Sequence, residues 1–186
     1  MSSLTLYDGS IVLMQRGMCT LSNLLKKASE HEDATSFPSA RLCEDMKPLS
    51  FQVWTASNTA KKTVKELTGV ETETWEQKET TLDQLIMQCE KTIVLLKGVD
   101  INQVEGKDTV MVELSLGPAG IRQLTGKEFV MSYAVPNFFF HLQTAYAILR
   151  MKGVPIGKAD FLGHSWCKMC EMEGGGQVRG QIGWLK

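Results

Sequence analysis

The feature that most restricts the fold of this chain is the spacing of apolar residues in its long segments. In the stretch 49–67 these residues follow one another at intervals of 4, 3, 4, 4 and 3. They are Leu49, Val53, Ala56, Ala60, Val64 and Leu67. Intervals of three and four place side chains on one face of an α-helix, and a continuous seam of this kind is typical of helices packed in a bundle.

Helical periodicity of the same kind covers three further segments, 4–29, 80–98 and 125–151, and the pair Thr125 and Glu128 predicts a capping box at the start of the last one. The period changes before the last of them. The β-branched run TVMVEL at 109–114 is followed by the turn sequence GPAG and by the short stretch 121–124, which can return as a partner strand. The sequence therefore predicts an all-α fold, an up-down four-helix bundle, with a small β-hairpin between the third and fourth helices.

Residues 1–163 are predicted to form one helical-bundle domain, a length that can bury its own core. Residues 164–186 differ from them, because the stretch GGGQVRGQIGW is rich in glycine and has no apolar period. We expect this C-terminal extension to be flexible.

The charge of the chain disfavours two classes of partner. With 20 basic and 21 acidic residues the formal net charge is −1, so the basic surface that nucleic acid or an anionic membrane requires is missing. No apolar run reaches the roughly 18 residues of a membrane span, and the N-terminus lacks the basic and apolar regions of a secretory signal. We predict a cytoplasmic protein that binds neither nucleic acid nor membranes.

A histidine on the fourth helix is the main candidate for chemistry. His141 follows three phenylalanines in the stretch PNFFFHLQTAYAILR, four residues after Asn137 and five before Tyr146. Histidine with an amide and a phenol in reach can act as an acid or a base near neutral pH. The residues leave open a second interpretation, a core histidine whose ring is hydrogen-bonded by a neighbouring helix. Pro136, one turn earlier, predicts a bend inside this helix.

Several separated segments together resemble a known family. They are RLCEDMKPLSFQVWTAS, ETTLDQL, GKEF, PNFFFHLQTAYAILR and GVPIGKADFLG, in this order within 4–163. The family is a domain of unknown function found in fungi and bacteria and grouped with the DinB/YfiT-like four-helix bundles. The resemblance implies the same bundle, frequent homodimers, and a functional site at the position of His141. It also implies, for many relatives, a divalent metal held by three histidines and used in thiol-dependent transfer or isomerisation.

The metal-binding pattern of those relatives is incomplete in this chain. One of their histidines comes from the second helix and two lie four residues apart on the last helix. Here Asn137 and Ala145 flank His141 at that spacing, and the second helix has no histidine. One imidazole with amide oxygens is a poor site for zinc or nickel. We therefore expect no cofactor, with a divalent metal on His141 as the minor alternative.

The leading hypothesis is a small-molecule enzyme whose pocket lies inside the bundle and whose chemistry is metal-free. Acid–base action would isomerise, cyclise or eliminate a group from an organic secondary metabolite. Two alternatives remain: a metal-dependent transferase or isomerase with a thiol cofactor, and a non-catalytic binding or dimerisation module. The predicted catalytic residues are His141, Tyr146 and Asp45. The predicted substrate-binding residues are Asn137, Gln52, Tyr7, Tyr133, Trp54 and Phe138.

Overall fold

The computed structural model describes residues 4–115, 117 and 120–163, so the predicted flexible extension 164–186 lies outside the described residues. The helices and strands follow in chain order. The helices are α1 (Leu13–Ser29), α2 (Leu49–Thr68), α3 (Leu82–Lys97), α4 (Ile101–Val104), α5 (Gly126–Phe129), α6 (Val135–Met151) and α7 (Lys158–Gly163), and the strands are β1 (Met111–Ser115) and β2 (Ile121–Thr125). Two π-helical turns, Asp8–Val12 and Val130–Ala134, lead into α1 and α6.

The predicted four-helix bundle with a small hairpin is confirmed. The four long helices α1, α2, α3 and α6 pack around one core, and β1 pairs with β2 in an antiparallel two-stranded sheet. Every residue of the seam at 49–67 is at most 2% exposed. The interval pattern was informative because only a helix brings all six of these positions to one face.

The connection between α2 and α3 adds a feature that the sequence did not predict. Residues 70–80, called here the return segment, run back along α2. Lys61 Nζ donates to the carbonyl of Glu73 at 2.8 Å, and Trp54 Nε1 donates to the carbonyl of Trp75 at 3.1 Å. Residue numbers on α2 decrease as those in the return segment increase, so α3 starts near the beginning of α2 and runs in the same direction. The four helices and the hairpin are as predicted, but α2 and α3 are parallel and do not alternate up and down.

The end of the hairpin leads directly into the helix that carries His141. Thr125 accepts a hydrogen bond from the backbone of Glu128, whose side chain bonds back to Thr125, which confirms the predicted capping box. Pro136 lies, as predicted, inside the last helical segment, which runs without a break from Gly126 to Met151. The π turn Val130–Ala134 directly before α6 is wider than an α turn and makes room for a ring that has no N–H to donate.

Candidate functional site

His141 contacts α2 across the interface between α2 and α6. Its Nδ1 lies 2.7 Å from Oε1 of Gln52, and the Gln52 Nε2 donates to the carbonyl of Lys47 at 2.8 Å. A second polar pair lies along the same interface, where Asn137 Nδ2 donates to Oγ1 of Thr59 at 2.8 Å. Both pairs are consistent with antiparallel helices, because residue numbers on α6 decrease along the interface as those on α2 increase.

The hydrogen bonds of Gln52 determine which nitrogen of His141 carries the proton. The carbonyl of Lys47 can only accept, so it must face the NH₂ group of the Gln52 amide. The Gln52 carbonyl oxygen then faces Nδ1 of His141, which must be the N–H donor of a neutral ring. The Nε2 of His141 is consequently left with a free lone pair.

The free nitrogen of His141 reaches the surface. The ring as a whole is 9% exposed. Nε2 has no hydrogen bond to a described residue. It is not fully enclosed by the protein, so it keeps some contact with solvent. Burial lowers the pKa of His141 from its ordinary value near 6.5 to about 4, so the imidazole is neutral at pH 7. The open lone pair can accept a proton, but the low pKa makes the ring a weak base until a ligand changes its surroundings.

This depressed pKa predicts how stability depends on pH. Between pH 6.5 and 4 the unfolded chain binds a proton at His141 and the folded protein does not. The contribution of this residue to the free energy of unfolding is therefore fully present above pH 6.5 and decreases as the pH falls towards 4. We expect a loss of about 2 kcal/mol over this range beyond that of the His141→Asn variant. Urea unfolding of both proteins at several pH values measures the difference. Parallel curves for the two proteins would show that His141 titrates normally.

Two aromatic rings contact His141, and a cation lies against one of them. The ring edges of Phe140 and Phe51 meet it at centroid distances of 5.2 Å and 6.1 Å. Phe140 is 59% exposed. The ammonium group of Lys47 lies 5.9 Å from the centroid of Phe51. We call His141, Gln52, Phe51, Phe140 and Lys47 together the His141 site.

Asn137 can take part in ligand binding beside this site. It lies one turn before His141 on α6 and is half-buried. The hydroxyl of Thr59 gives its proton to the carbonyl of Thr55, so it can only accept from the Asn137 NH₂ group. The carbonyl oxygen of Asn137 has no hydrogen bond within the described part of the chain. It is therefore free to accept one from a ligand.

Two of the predicted substrate-binding residues, Phe138 and Trp54, make contacts that stabilise the fold. Phe138 is fully buried against α1, where a Cβ added at Gly17 would lie 2.4 Å from its Cε1. It belongs to the core. Trp54 is half-buried, with its indole N–H bound to the carbonyl of Trp75 and its ring 5.9 Å from Phe51. Among the described residues no ring contact joins Trp54 to His141. Its contact with the His141 site is therefore through Phe51.

The structure does not bring the tyrosines and Asp45 to His141. Tyr7 donates to the carbonyl of Val99 at 3.2 Å and lines a separate cavity of about 300 Å³ beside α4. Burial, with the charges of Asp100 and Asp8, raises its pKa, so it stays a neutral phenol. No hydrogen bond or ring contact joins the other three to His141 among the described residues. Tyr133 contacts Phe129, Tyr146 contacts Phe161, and Asp45 is exposed in the loop before α2.

The donor atoms around His141 do not fit the three-histidine metal site that the family resemblance implies. Gln52 Oε1 already accepts from Nδ1, and Asn137 offers a single amide oxygen. Among residues 4–115, 117 and 120–163, no group of three or more His, Cys, Asp or Glu side chains has the arrangement of a metal site. A tightly held divalent metal needs more imidazole, thiolate or carboxylate ligands than this.

Sequence reasoning missed three members of the His141 site: Phe51, Phe140 and Lys47. Phe51 and Phe140 each lie directly beside a predicted site residue in the sequence, at Gln52 and His141. That adjacency was the available signal. Lys47 contributes its backbone carbonyl, for which a sequence carries no side-chain signal.

Comparisons with known proteins agree with this architecture. The family described as a domain of unknown function (DUF1993) matches residues 6–162. Among solved structures, the crystal structure of a DinB family member protein from Shewanella denitrificans is 33% identical, with a TM-score of 0.77. The match covers 85% of this chain and 92% of that one. No curated protein sequence matches. In the described part of the chain, no helix is long and apolar enough to cross a membrane.

Proposed function

The chain belongs to the DUF1993 family, and from this premise and the geometry of the His141 site we propose that it is a small-molecule enzyme. The reaction is acid–base chemistry without a metal: isomerisation, elimination or cyclisation of an organic metabolite. In each case the proposed first step is removal of a proton from the substrate. The site works at the interface of α2 and α6 in a cytoplasmic protein, expected to be a homodimer.

The observation that carries this proposal is the state of His141. Nδ1 is held as a donor by Gln52, and Nε2 keeps its lone pair and reaches the surface. A histidine that served only to fill the core would have both nitrogens hydrogen-bonded, because an unpaired buried nitrogen costs about 1–3 kcal/mol. This ring has one nitrogen anchored and the other open. That division is the one a general base requires.

The surrounding residues have separate roles in this proposal. Nε2 of His141 removes the proton and later returns it. The sequence predicts Gln52 as a substrate-binding residue. In this proposal Gln52 instead positions the imidazole and fixes its tautomer. The carbonyl of Asn137 accepts a hydrogen bond from the substrate. Phe51 and Phe140 provide an apolar wall.

Metal analysis distinguishes this proposal from the thiol-dependent transferase. We expect well under one equivalent of zinc, nickel or iron in the purified protein, because the His141 site provides only one good ligand. Proton abstraction is followed as solvent deuterium exchange into a panel of enolisable carbonyl compounds, detected by proton NMR. Exchange by the chelator-treated protein should equal that of the untreated protein.

The opposite result has an equally clear form. Stoichiometric metal that is lost in the His141→Ala variant, together with exchange that stops after chelation and returns with added metal, would replace our proposal with the metal-dependent one. Metal that stays bound in His141→Ala would lie at another place and leave the proposal intact.

A further inference from the structure

The residues of the His141 site also define the kind of substrate it accepts, an inference that rests on the proposed function. We propose that the site binds a small planar carboxylate, with the size and shape of benzoate, whose negative group faces Lys47 and whose flat body lies along Phe51 and Phe140. The reacting proton then faces Nε2 of His141.

The first argument is the uncommitted positive charge at the edge of the site. Lys47 and His141 both contact the ring of Phe51, at 5.9 Å and 6.1 Å from its centroid. Lys47 is exposed and forms no ion pair with any residue for which the structure gives a position. Glu44 and Asp45 precede it in the same loop, but neither is paired with its ammonium group. An anionic ligand supplies the missing partner.

The second argument is the exposed aromatic surface. Phe140 is 59% exposed although it touches the buried ring of His141. An exposed phenylalanine next to a buried polar group with an open lone pair is a surface that a flat apolar ligand can cover. Phe51, half-buried on α2, forms the other side. The two rings belong to different helices, so the ligand bridges α2 and α6.

The third argument is that His141 has no counter-charge of its own. Only burial lowers the pKa of His141, with no charged group contributing to the change. The groups that contact it from α2 and α6 are Gln52, Phe51 and Phe140, none of which titrates. The ammonium group of Lys47 and the imidazole both lie against the ring of Phe51, and the charge of Lys47 does not contribute to the low pKa of His141. A carboxylate bound by Lys47 beside that ring brings a negative charge to the site and makes His141 a stronger base once the substrate is bound.

The test uses the full chain labelled with ¹⁵N-histidine and three probes of nearly equal shape: benzoate, benzyl alcohol and benzylammonium. The His141 signal is assigned with the His141→Asn variant and titrated against pH at constant ionic strength. We expect benzoate to bind saturably and to raise the pKa of His141 by about one pH unit or more. Benzyl alcohol should bind more weakly, and benzylammonium should not bind.

Two variants locate the carboxylate. Lys47→Ala should weaken benzoate binding about tenfold, since one charged contact at a partly exposed site is worth about 1.4 kcal/mol. Lys97→Ala, which removes an exposed lysine at the opposite end of the bundle, should change nothing. Equal binding of benzoate and benzyl alcohol, preference for benzylammonium, no response of His141 to any probe, or unchanged binding by Lys47→Ala would overturn the inference.

The same spectra separate this inference from the proposed function. In the protein without probe, they show which nitrogen of His141 is protonated at pH 7. If Nδ1 is protonated but neutral probes bind best, only the carboxylate assignment fails. If Nε2 is protonated in the free protein, or the ring is a cation, His141 cannot be the base and the proposed function itself fails.

Discussion

Replacing His141 with asparagine is expected to lower the rate of proton abstraction by about 10²–10⁴-fold while the protein stays folded. Asparagine places its NH₂ group where Nδ1 lies, so the hydrogen bond to Gln52 is retained. It has no atom at the position of Nε2. The stability cost should be about 1 kcal/mol or less, because no buried polar group loses its partner. Turnover is measured by deuterium exchange and stability by urea unfolding.

A second variant of His141 separates chemistry from packing. His141→Leu fills a similar volume but leaves the Gln52 carbonyl oxygen without its donor, so it should lose the same activity and an additional 1–3 kcal/mol or so of stability. A purely structural histidine would behave differently. The asparagine variant would then keep its exchange activity, and only the leucine variant would unfold at clearly lower urea concentrations.

How much of this site the sequence could predict depends on the range over which each signal acts. The seam at 49–67 and the capping box at Thr125 are local patterns, and each indicated its helix correctly. His141 and Gln52 were both singled out from the sequence, and the structure joins them at 2.7 Å. The role of Gln52 could not be predicted, because it depends on which way its amide faces. That orientation is set by a backbone carbonyl of Lys47.

The tyrosines show the limit of the same reasoning. Tyr146 was selected because it is five residues from His141, but five positions on a helix correspond to different faces, and its ring packs on Phe161 of α7. Tyr7 is one of the predicted substrate-binding residues. The structure does bury it, but with its hydroxyl on Val99 at the end of α3. Helix direction and rotation, which decide such contacts, come from long-range packing.

The hydrogen bond between Gln52 and His141 allows the basicity of the imidazole to be changed by one atom. In Gln52→Glu a carboxylate replaces the amide 2.7 Å from Nδ1. A negative charge at this distance favours the protonated ring, so the pKa of His141 should rise from about 4 by about one to three pH units. Because the base must be neutral to accept a proton, the acidic limb of the pH–rate profile should move upward by the same amount.

Asn58→Asp is the matched control for this change. It adds the same charge to α2 six positions further along, at a half-buried residue away from the His141 ring. The pH–rate profile should stay near that of the unmodified protein, and so should the pKa of His141 measured by NMR. If Gln52→Glu also leaves both unchanged, Nδ1 does not donate to Gln52 in solution. The tautomer argument, and with it the assignment of Nε2 as the base, would then be wrong. A shift confined to Gln52→Glu would instead show that the second helix controls the basicity of the histidine on the last one.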